Sequence, residues 1–110
     1  MVAIIEQKWA LLADLCRRDR IERLYVFGLA TQGHFDAKRS DLDFLVSFAD
    51  RAPTGDYADR YLDFAERLEQ LFERPVDLVT EQSIHNPYFR QEVESTRQLA
   101  YEQSDEETAI

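Results

Sequence analysis

Ser40-Asp41-Leu42-Asp43-Phe44-Leu45-Val46-Ser47-Phe48 is the stretch that decides the architecture. Read as a strand, it sends Leu42, Phe44, Val46 and Phe48 to one face, where helices must cover them, and Asp41 and Asp43 together to the other. Two carboxylates held that close repel each other and raise each other's pKa unless a cation lies between them, a geometry that invites Mg²⁺. Downstream, Val76-Asp77-Leu78-Val79-Thr80 is a further β-prone run, with a single acid among residues that want burial. A buried aspartate needs a partner. If the two strands are neighbours, Asp41, Asp43 and Asp77 converge and could hold two metal ions roughly 3.5–4 Å apart, as phosphoryl-transfer sites do. The plainer alternative has Asp41 capping a turn after Ser40, Asp43 facing solvent at a sheet edge and Asp77 merely beginning its strand.

The flanks supply the remaining elements. Leu24-Tyr25-Val26-Phe27 is a short strand stopped by Gly28, and Gly33 follows five positions later in Gly28-Leu29-Ala30-Thr31-Gln32-Gly33. Two glycines let a backbone approach a phosphate closely, although such a pair by itself is a weak signal. Before that strand, Ile5, Trp9, Leu12 and Cys16, widened by Leu11 and Leu15, predict one amphipathic helix ending around residues 17–20. After a loop at Ala52-Pro53-Thr54-Gly55-Asp56, the residues Tyr57, Tyr61, Phe64, Ala65, Leu68, Leu71 and Phe72 step by three or four until Pro75. At this spacing the aromatics are core or dimer packing rather than a base-stacking box, with Glu66, Arg67, Glu69, Gln70, Glu73 and Arg74 on the solvated side. Asn86-Pro87 opens a last helix carrying Tyr88, Phe89 and Val93, and a short strand is expected at residues 98–101. The order α-β-β-α-β-α-β calls for an α/β (α+β) fold, a small mixed sheet with helices packed mainly on one face.

Composition bounds the function. The chain has 110 residues, with 13 Lys+Arg against 22 Asp+Glu, hence 13 − 22 = −9. That is one domain, expected over residues 1–101, with an acidic frayed tail at 102–110. Proteins that grip DNA or RNA unaided neutralise phosphates with Lys and Arg, so direct nucleic-acid binding is disfavoured. The start of the chain lacks a basic n-region and a cleavage site, and acids interrupt its apolar run, so a cytoplasmic protein without a membrane span is expected. Cys16, the single cysteine, has no internal disulfide partner and is read as core packing. His34 and His85 lie far apart with no cysteine nearby and give no zinc spacing.

Phe27-Gly28-Leu29-Ala30-Thr31-Gln32-Gly33, then Ser40-Asp41-Leu42-Asp43-Phe44-Leu45-Val46, then Pro75-Val76-Asp77-Leu78-Val79 together resemble the minimal nucleotidyltransferases of the polymerase-β superfamily. Their pattern is Gly-Ser, a second Gly, Asp-x-Asp and a third Asp, and the resemblance runs from about residue 21 to 101. It implies that Asp41 and Asp43 hold Mg²⁺ bridging a nucleoside triphosphate, ATP by family analogy. Asp77 would help hold a second ion and activate an acceptor hydroxyl, and Gly28, Leu29, Thr31, Gly33 and Ser40 would face the nucleotide. Two positions depart from the pattern: Leu29 stands where the family has Ser, and Gln32 where it often has Arg. Both fall on phosphate binding rather than on the metals. The resemblance also implies a helical HEPN-type partner protein, of which such domains are antitoxins, and a homo- or hetero-oligomer. The alternative implied by Leu29 is a lapsed nucleotidyltransferase fold that neutralises a partner by contact.

Overall fold

A computed structural model describes residues 2–31, 41–49 and 57–103. The expected order of elements is present: α1 (Ala3–Gln7), α2 (Trp9–Arg18), β1 (Ile21–Phe27), β2 (Leu42–Phe48), α3 (Tyr57–Phe72), β3 (Val76–Thr80), α4 (Pro87–Thr96) and β4 (Gln98–Glu102), with 3₁₀ turns at Gly28–Thr31 and Glu81–Ser83. The four strands form one mixed sheet in the order β3-β2-β1-β4. β2 runs antiparallel to β1 and parallel to β3, and β4 closes the other edge antiparallel to β1.

Alternation in β2 works as the sequence predicts. Leu42, Phe44, Val46 and Phe48 are buried in the larger core with Leu24 and Val26 of β1, Leu12 and Cys16 of α2, and Phe64, Leu68 and Phe72 of α3. Phe44 stacks on Phe72 at 5.9 Å, and Phe48 meets Phe64 and Tyr57 edge-on. Burial pushes the Cys16 thiol far up, which leaves it an inert packing group. The opposite face is only partly covered. There α4 places Val93 and Phe89 against Phe27, Leu45, Tyr25 and Val79, a smaller cluster that leaves open the end of the sheet where β2 and β3 begin.

Three local readings change. The first helix is two, broken at Lys8 (φ −112°), whose ammonium reaches the Leu71 carbonyl of α3 at 2.6 Å, at the negative end of that helix. Trp9 and Leu11, expected in the buried stripe, are exposed, because Ile5, Leu12, Ala13 and Cys16 already fill the face that α1 and α2 turn inward. Asp77 is exposed rather than buried, since β3 is an edge strand with its acid on the half-open face. Gln32, Gly33, His34, Lys38, Arg39, Ser40 and the loop at residues 52–56 lie outside the described residues.

Candidate active site

β-sheet register brings the site together. Parallel pairing of β2 with β3 sets Asp43 directly beside Asp77, and antiparallel pairing with β1 sets Asp43 opposite Phe27, next to Gly28. Adjacent residues on neighbouring strands share a face, so the two carboxylates stand side by side. Burial first, then the charges of Asp77, Asp41 and Glu92, push the Asp43 carboxyl up to about 6. Asp41, exposed just before β2 begins, acts on Asp43 through its charge.

Gly28 forms the floor. It is buried, with φ +78°, and a Cβ built there would stand 2.7 Å from Oδ2 of Asp43. Only glycine combines that backbone conformation with so close an approach. Its amide donates to Oγ1 of Thr96 at 3.0 Å, and its carbonyl accepts from Oγ1 of Thr31 at 2.9 Å. The Thr31 hydroxyl is therefore engaged within the turn. The open space above is a cleft of about 370 Å³ bounded by Gly28, Asp43, Asp77, Phe89 and Glu92.

Sequence reading missed the α4 wall of this cleft. Glu92 lies three residues after Phe89, whose ring meets Phe27 edge-on at 6.0 Å, and one before buried Val93. Those two apolar neighbours were the available signal that Glu92 faces the sheet's acidic end.

The donor set fits a hard divalent cation: carboxylates side by side on neighbouring strands. Among the described residues no group of three His, Cys, Asp or Glu side chains is arranged to hold a metal ion. Among those residues, too, no helix is long and apolar enough to cross a membrane.

Similarity to known proteins agrees with this geometry. A family model described as a nucleotidyltransferase domain matches residues 10–100. A Methanocaldococcus jannaschii protein whose name proposes protein adenylyltransferase activity is 33% identical over 75 residues, covering 68% of this chain and 72% of that one. A solved structure described as a proposed minimal nucleotidyltransferase superposes with a TM-score of 0.67 at 28% identity, over 84% of this chain and 89% of the other. A tri-AMPylated Shewanella oneidensis HEPN toxin in complex with its MNT antitoxin superposes at 0.61, with 18% identity over 96% and 78% of the two chains. The chain belongs to the nucleotidyltransferase domain family, among its minimal members.

Proposed function

We propose that this chain transfers AMP from ATP to a hydroxyl of a partner protein, with two Mg²⁺ ions held by Asp41, Asp43 and Asp77. The observation that carries the reading is the in-register Asp43–Asp77 pair beside the left-handed Gly28 turn. Bound Mg²⁺ would relieve the repulsion between the carboxylates and neutralise charge on the triphosphate. Asp43 and Asp77, which both line the cleft, would hold the cation through their carboxylate oxygens. Asp41, at the mouth of β2, adds a third carboxylate on the triphosphate side. Asp77, exposed on the edge strand, can take the proton of the attacking hydroxyl at its carboxylate while pyrophosphate leaves. Gly28 lets the backbone close on the nucleotide, and Leu29, Thr31, Gly33 and Ser40 complete the nucleotide-facing set.

A protein acceptor is favoured by likeness to the adenylyltransferase-named relative and to the antitoxin bound to an AMPylated HEPN toxin. The net charge of −9 suits a partner with a basic groove, as a ribonuclease-like toxin would have. Such an antitoxin would work in the cytoplasm.

Incubating the protein with ATP, Mg²⁺ and a HEPN-type partner, followed by mass spectrometry of the partner, tests this. The expected result is a partner heavier by AMP, and Asp41→Asn abolishes the gain. A second reading, a lapsed fold that neutralises its partner by contact, is favoured by Leu29 in the serine position and by the engaged Thr31 hydroxyl. Unmodified partner that is nonetheless silenced would establish that reading and overturn the first.

A further inference from the structure

Thr96 is the last residue of α4, and its hydroxyl lies between two backbone groups that are distant in sequence. It donates to the Glu92 carbonyl at 2.9 Å and accepts the Gly28 amide at 3.0 Å across 68 positions of chain. A threonine bonding back to the carbonyl four residues earlier is common and by itself means little. The Gly28 amide is what sets this one apart. With its single proton given to Glu92, the hydroxyl oxygen has only lone pairs to offer, so the direction of the relay is fixed. Gly28 is held on its other side as well, by Oγ1 of Thr31 on its carbonyl.

That grip matters because Gly28 has little room to drift. The space where its Cβ would stand is already 2.7 Å from Oδ2 of Asp43, so a small displacement changes how the backbone meets the carboxylate. Phe89 and Glu92, which bound the cleft opposite the sheet, ride on the same helix that Thr96 ties down.

We propose that Thr96 is a positioning residue, a hydroxyl latch that fixes the spacing between the α4 wall and the Gly28 turn and thereby sets the affinity of the cleft for a nucleotide. The affinity part rests on the nucleotidyl-transfer reading; the latch itself does not.

The test compares Thr96→Val, which keeps the shape and removes the hydroxyl, with Thr96→Ser, which restores it. Three quantities are read on the whole protein: hydrogen exchange of the Gly28 amide by NMR, affinity for AMP-PNP with Mg²⁺ by calorimetry, and the melting temperature. The latch predicts Gly28 exchange at least about tenfold faster in Thr96→Val and AMP-PNP binding about tenfold weaker, with Thr96→Ser close to wild type in both. Thr96→Ala serves the same comparison if valine prevents folding. Wild-type exchange in Thr96→Val, unchanged AMP-PNP affinity, or failure of Thr96→Ser to rescue either quantity overturns the proposal. Wild-type protein that does not bind AMP-PNP would sink the nucleotide reading and the affinity claim together, while the exchange rates still decide the latch.

Discussion

A methyl group at position 28 would meet two obstacles at once: a left-handed backbone that L side chains avoid, and Oδ2 of Asp43 at 2.7 Å. Asp43 has some freedom to swing away, so the cost is set mostly by the backbone, about 1–3 kcal/mol. Gly28→Ala should therefore lower the melting temperature by roughly 5–15 °C in a thermal scan, and Asp43→Ala in the same chain should recover only the smaller, steric share. Asp43 makes a prediction of opposite sign. Its folded-state pKa is raised from 3.8 to about 6, so the native state holds a proton that the unfolded chain releases. This destabilisation is absent below about pH 4, grows between 4 and 6, and is complete above 6. With divalent ions chelated, Asp43→Asn should stabilise the protein at pH 7 by on the order of 1 kcal/mol, discounted because the group is only half-buried, and should make no difference near pH 4. Denaturant titrations at the two pH values check this. An equal effect at both would show that the carboxylate is not under the strain described.

Helix α4 shows how a local signal positions a distant site. Oδ1 of Asn86 accepts the amides of Tyr88 and Phe89 at 2.9 and 3.3 Å, and Pro87 opens the first turn with its φ already set. Asn86→Ala should cost about 1 kcal/mol by chemical denaturation. Because the cap fixes the turn that carries Phe89, the same change should also weaken nucleotide binding. Phe64→Ala in α3, by contrast, should cost about 3–5 kcal/mol, since its fully buried ring packs against Phe48 and its removal leaves a cavity in the core. The start of α4 was legible in Asn86-Pro87, and the inward stripe of α3 in its three-and-four spacing. The role of α4 was not, because Glu92 and Thr96 acquire meaning only through contacts with residues from Gly28 to Asp77, which no local pattern encodes. The break at Lys8 was hidden too: the side chain at that position bonds a carbonyl in α3, more than sixty positions away. Strand β3 misled in another way. Val76-Asp77-Leu78-Val79 has the composition of a buried strand, and only the sheet order reveals that it is an edge.

At the scale of the whole molecule, among the described residues, α1, α2 and α3 cover one face of the sheet and α4 half-covers the other, with a cleft at the acidic end of β2 and β3. The alternation in residues 42–48 foretold that division. It also put Asp43 on the open side, although convergence with Asp77 depended on β2 and β3 being parallel neighbours. The charge of −9 acquires a local meaning here. Two of its acids, Asp43 and Asp77, stand side by side at one cleft, a concentration of charge that the proposed cations would offset. The most direct measurement supplies the protein with Mg²⁺, a HEPN-type partner and ATP labelled on either the α- or the γ-phosphate, then counts label on the partner. Nucleotidyl transfer predicts α-label on the partner and none from the γ position, with the signal lost in Asp43→Asn. Transfer of γ-label, or no transfer of either by the wild-type protein, would contradict it.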